Sequence, residues 1–83
     1  MKRRRMQPDD RRKIIVLAAV AVARRDGLAS VTFEEVAAAC SIETTERTIR
    51  HYFATYRALW LATAKQDRPA LWQQAVDLGI ATE

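Results

Sequence analysis

Residues 44–53 read TTERTIRHYF and gather the chain's one histidine, His51, with Tyr52, Arg47, Arg50 and three threonines. Three kinds of chemistry suit such a set: proton transfer at a catalytic site, contact with phosphates and bases, or plain solvation of a helix face. A general base needs an orienting partner, and the pattern predicts no carboxylate beside His51 on the exposed face. There is no Ser-His-Asp set, no metal-ligand spacing and no glycine-rich phosphate loop. The sequence therefore points away from an enzyme, with no catalytic residue, cofactor or metal expected. Cys40 is the sole cysteine and cannot form an internal disulfide. Its neighbours Val36, Ala37 and Ala39 mark it as a small core residue rather than a reactive thiol.

Placed on a helix over 45–53, the stretch divides into two faces. Ile49 and Phe53, four residues apart, point inward, whereas Arg47 and His51 fall about 160° and 200° from Ile49. Thr48 and Arg50 flank them, Tyr52 lies at the border, and Glu46 is expected nearer the buried side. Arginine offers a fixed fork of donors matching guanine O6/N7 or a phosphate, and threonine and histidine serve either. Such a helix fits a duplex major groove about 12 Å wide. Arg47, Thr48, Arg50 and His51 are the candidate base readers.

Other elements must hold that helix in place. Pro8, Asp9 and Asp10 announce a first helix, over about 10–26, with Arg24, Arg25 and Gly27 at its end. Its expected core stripe is Ile14, Ile15, Leu17, Ala18, Ala21 and Val22. Thr32 and Glu35 have capping-box spacing, flanked by Val31 and Val36 as a staple, and predict a short second helix over about 33–40. A tight polar turn follows, in which Thr44 or Thr45 caps the third helix. Ala54-Thr55 caps a fourth helix from Tyr56 to about Gln66, packed through Leu59, Trp60 and Ala62 or Thr63. Pro69 breaks the chain, and a last helix over 70–79 ends at Gly79. The fold class expected is all-α, a small bundle of four to five helices. A short capped helix, a turn and a helix with a polar front is the order of a helix-turn-helix.

Charge sharpens the reading. The net charge is +4, but residues 1–13 alone carry +5 and the remainder −1. The excess sits in a basic arm over 1–9, with Lys2, Arg3, Arg4 and Arg5. Such an arm either gains affinity for nucleic acid by counterion release or serves as a solubilising tail. The apolar run IIVLAAVAVA, residues 14–23, is too short to span a bilayer, and no signal-peptide cleavage site follows it. No membrane association and a cytoplasmic location are expected.

Four segments in order, RRKIIVLAAVAVARRDG, TFEEVAAAC, TIRHYF and ATYRAL, resemble the DNA-binding domain of the TetR (tetracycline-repressor-like) family of bacterial transcription regulators. The resemblance covers about residues 11–63 and places that domain at 10–66, followed by a C-terminal helix, 67–83, as a dimerisation element. It implies that Thr48 opens the recognition helix, Ile49 and Phe53 are its core residues, and Tyr52 meets the DNA backbone. Thr55 matches the family's cap, and Thr32 the threonine whose helix start faces phosphate. The chain departs from the pattern at Arg50 (usually tyrosine), Tyr56 (usually lysine) and Ser41 (usually glycine), and its turn is longer. The phosphate or minor-groove candidates are thus Lys2, Arg3, Arg4, Arg5, Thr32, Thr44, Thr45, Tyr52 and Tyr56. The family's larger ligand-binding domain has no counterpart in the residues after the fourth helix, so no small-molecule inducer is expected.

The function expected is sequence-specific binding of double-stranded DNA as a transcriptional regulator, a repressor acting by occlusion. A homodimer on a palindromic operator is implied, with half-sites about 34 Å or a multiple apart. So small a binder suits a plasmid or phage. Trp60, Trp72 and Val76 are the interface candidates, although both tryptophans can equally cap the monomer's own core. The alternative is a small protein-binding module, resembling an antirepressor, whose basic face meets an acidic regulatory protein.

Overall fold

A computed structural model describes residues 8–82 of the chain; Lys2, Arg3, Arg4 and Arg5 lie outside the described residues. The elements are α1 (Pro8–Asp26), a 3-10 turn (Leu28–Ser30), α2 (Phe33–Ala39), α3 (Glu46–Tyr52), α4 (Tyr56–Gln66) and α5 (Ala70–Asp77). The all-α expectation holds.

Helix α1 begins two residues before the expected start. Asp9 and Asp10 occupy its first turn and Arg24 and Arg25 its last, each complementing the helix dipole. Gly27 stops it with φ at 95°, its N–H still reaching the Ala23 carbonyl at 2.7 Å. The buried face differs from the expected stripe. Ile15, Val16, Ala19, Val22 and Ala23 are at most 4% exposed, whereas Leu17 is 55% exposed and Ala21 also faces solvent. The run IIVLAAVAVA is apolar all round, so its spacing selects no direction. Packing against α2 and α4 makes the choice.

Local capping follows the sequence closely. The Thr32 hydroxyl accepts the Glu35 N–H at 3.1 Å, the Thr45 hydroxyl accepts Thr48 N–H at 3.3 Å, and the Thr55 hydroxyl accepts Ala58 N–H at 3.1 Å. Each satisfies one of the orphan donors of a helix start, worth about 1 kcal/mol. The Glu35 carboxylate turns to Arg25, 3.1 Å away. At the far end α5 finishes before Gly79, not at it. Gly79 N–H bonds to Val76 O at 2.9 Å and Ile80 N–H to Ala75 O at 3.0 Å, the paired Schellman bonds, with Gly79 at φ 78°.

One core joins every element. Ile15 of α1, Leu28 of the 3-10 turn, Val36 of α2, Ile49 of α3, Leu59 of α4 and Leu71 of α5 are each no more than 1% exposed. Fully burying such a side chain contributes about 1.5–3 kcal/mol. Thr63 is buried as well, its hydroxyl donating to Leu59 O at 2.7 Å. Two long-range polar contacts hold the link between α1 and α2. Leu28 N–H donates to Gln74 Oε1 at 2.7 Å, and Trp60 Nε1 donates to the Val31 carbonyl at 2.8 Å. Among the described residues, no helix is long and apolar enough to cross a membrane.

Candidate functional site

Helix α3 is fixed from behind. Ile49 is fully buried and Phe53, its C-cap, is 2% exposed. In front, Arg47 and His51 are exposed, with Thr48 and Tyr52 half-buried at the margins. The Thr45 and Thr48 hydroxyls lie 3.2 Å apart at the helix start. His51 meets Tyr52 edge to face, their rings 5.6 Å apart, and His51 is exposed to solvent.

The connection from α2 to α3 is not a tight turn. It runs over residues 40–45 and includes a bend at Ser41 and Ile42. Thr45, rather than Thr44, caps α3. The Thr44 hydroxyl oxygen is buried without a hydrogen-bond partner among the described residues, so Thr44 does not present it to a phosphate. Cys40 is partly buried against the core, and that burial pushes its thiol up from the ordinary range. This fits a packing role, since a raised pKa suppresses the thiolate.

Arg50 and Glu46 also differ from expectation. Glu46 is exposed rather than inward, and its Oε2 lies 3.4 Å from Arg50 Nε, one helical turn away. The Arg50 guanidinium rests over the Phe33 ring, 4.8 Å from its centre. Arg50 thus leaves the outward line of Arg47 and His51 and ties α3 to the start of α2. Tyr56 stacks on the other side of this small aromatic group, 4.4 Å from Phe33 and 5.9 Å from Trp60. Thr32 caps the helix that Phe33 opens, Tyr56 stacks on Phe33, and neither lines the groove that holds His51. Trp60 is partly buried against the core and donates its Nε1–H to the Val31 carbonyl. Trp72 lies beneath the Arg68 guanidinium, 4.0 Å from ring centre, and Val76 is half-buried.

The structure adds a residue that the motif missed. Arg11, in the second turn of α1, joins Arg47, Thr48, His51 and Tyr52 around an open groove of about 430 Å³. The adjacent Arg12 lies over the Phe53 ring at 4.9 Å from its centre, pinning α1 to the end of α3. Among the described residues no carboxylate lines this groove. Arg11 and Arg47 are far apart in sequence, so helix periodicity carried no signal for their meeting. A hint lay in the excess of bases before Ile14.

What the groove can do follows from its inventory. Two guanidinium forks and an imidazole offer donors, the Thr48 and Tyr52 hydroxyls offer both donor and acceptor, and the Tyr52 ring offers apolar contact. No acidic group is poised for proton transfer beside His51. The arrangement suits capture of an anionic, hydrogen-bonding surface. No family model, curated protein or solved structure matches the chain, and the functional reading rests on these residues.

Proposed function

We propose that this protein is a sequence-specific double-stranded DNA-binding regulator that reads bases with α3. The observation that supports it best is the two-sided build of α3: Ile49 and Phe53 locked into the core, with Arg47, Thr48 and His51 bordering an acid-free groove. In this reading α2 and α3 act as a helix-turn-helix with an extended connector, as the TetR-like resemblance implies. Arg47 and His51 contact base edges and Thr48 and Tyr52 the adjoining backbone. Arg50 supports the helix rather than reading from it. The protein acts as a homodimeric repressor that occludes its operator without a small-molecule inducer. With Trp60 hydrogen-bonded within the chain, the dimer contact falls to exposed apolar groups elsewhere, Leu17 midway along α1 at 55% and Leu78 just after α5 at 43% exposure, with half-buried Val76 of α5.

The test is binding to DNA from upstream of the protein's own reading frame and to a scrambled duplex, across salt concentrations. The proposal expects preference for one sequence and a steep fall of log K with log salt. Equal binding to both duplexes would remove the claim of sequence reading. Absence of binding to either, with tight capture of an acidic regulatory protein, would replace this reading by a protein-binding module.

A further inference from the structure

The positive charge of the described residues is sorted by place. Of ten Lys and Arg side chains there, Arg24, Arg25 and Arg50 are ion-paired, with Asp67, with Asp26 and Glu35, and with Glu46 respectively. The remaining seven form no ion pair among the described residues. Six of them are grouped, and the seventh, Arg68, lies over the Trp72 ring. Arg11 and Arg47 line the groove on α3. The next residues along α1, Arg12 and Lys13, line a second groove with Lys65 of α4, floored by Val16 and Ala62. Lys65 in turn shares a third groove with Arg57, one helical face along α4. Among the described residues no carboxylate lines any of the three, whereas the grooves at the C-terminal end of α1 contain Asp67, or Asp26 and Asp77. Asp9 and Asp10 occupy the first turn of α1, just ahead of Arg11, Arg12 and Lys13, and both are exposed to solvent.

We infer that the seam between α1 and α4 is a second nucleic-acid contact, a phosphate-backbone track continuous with the base-reading groove. It rests on the DNA-binding reading of α3 and adds to it: the duplex does not stop at α3 but follows Arg11 and Arg12 to Lys13 and Lys65. Flexible lysines over an apolar floor make point contacts with successive phosphates and select no bases. Its cations lie on α1 and α4, two helices packed against each other. That continuity favours the flank of the same duplex over a separate acidic protein partner. The footprint is then longer than one α3 helix covers, and the flanking DNA bends toward the protein.

The decisive variant is the pair Lys13→Gln with Lys65→Gln, both exposed and neither lining the α3 groove. Binding is measured on a duplex with long flanks and on one trimmed to the half-sites, from 50 to 200 mM salt. Each lost phosphate contact lowers the slope of log K against log salt by about 0.9. The pair should therefore lower it by about 1.8. Across the fourfold salt range, wild type should lose about 12-fold more affinity than the variant, calculated from that slope difference. The ratio of operator to scrambled binding should stay unchanged. Trimming the flanks should mimic the variant on wild type and add nothing to it. An unchanged slope in a variant with native circular dichroism overturns the track while leaving α3 as the reader. If wild type binds neither duplex, the DNA-binding reading itself falls, and with it the track. Retention of the slope together with loss of an acidic protein partner would reassign the seam to protein contact.

Discussion

At the C-terminal end of α1, Arg24 grips Asp67 of the α4–α5 link through two hydrogen bonds, at 2.8 and 2.7 Å, and Arg25 bridges Asp26 and Glu35. At the N-terminal end, about 20 Å away along the helix, Arg11 faces Arg47 and His51 across a groove with no carboxylate. The same side chain thus closes the fold at one end and is left open for a ligand at the other. The lesson is that an arginine's role is set by the acids within its reach, not by its position in a basic stretch. Arg50 makes the point within α3 itself: one turn from Glu46 and above Phe33, it belongs with the paired group.

The comparison can be broken most severely through the shared core. Ile49→Ala removes the fully buried anchor of α3 and should cost about 2–5 kcal/mol in chemical denaturation. It should take DNA binding with it, because the open arginines are useful only when their helix is seated. Next, Arg47→Ala should cost about 1–3 kcal/mol of discrimination at one base pair while leaving the melting temperature within error. A loss of stability of that size instead would place Arg47 among the structural arginines. Arg50→Ala should do the reverse on a smaller scale. It should lose about 0.3–0.5 kcal/mol of stability from its helical ion pair, with less effect on sequence discrimination than Arg47→Ala. The gentlest probe is acid titration of Asp67→Asn. The Arg24 guanidinium, hydrogen-bonded to Asp67, holds that carboxyl below its usual range. Its contribution is complete above the unfolded carboxyl's pKa and fades as pH falls through the lower folded value. The melting difference between wild type and variant should therefore be present at neutral pH and shrink below about pH 4.

Much of the scaffold was legible because it is local. Thr32, Thr45 and Thr55 each act on an amide three residues ahead, and an i to i+3 spacing is visible in any sequence. The two faces of α3 were legible for the same reason, since Ile49 and Phe53 leave no other inward direction. What could not be read depends on distant partners. The uniformly apolar α1 gave no preference between Leu17 and Val16 or Ala19. Gln74 satisfying Leu28 N–H, and Trp60 turning to Val31, join residues whose separation no periodicity encodes. Arg11 entered the site by the same long-range route. Glu46 was misplaced because an idealised wheel ignores how a long side chain bends back to a cation one turn on. The Thr44 hydroxyl shows the opposite failure, a polar group that looks surface-bound by type and is buried by its connector.

The account is tested most directly by titrating isotope-labelled protein with a duplex carrying its operator and following chemical shifts residue by residue. The largest changes should fall on Arg47, Thr48 and His51 of α3 and on Arg11 of α1, with Arg24, Arg25 and Leu17 unmoved. Changes centred on the Leu17 and Asp67 end, or none along α3 at saturating duplex, would contradict it.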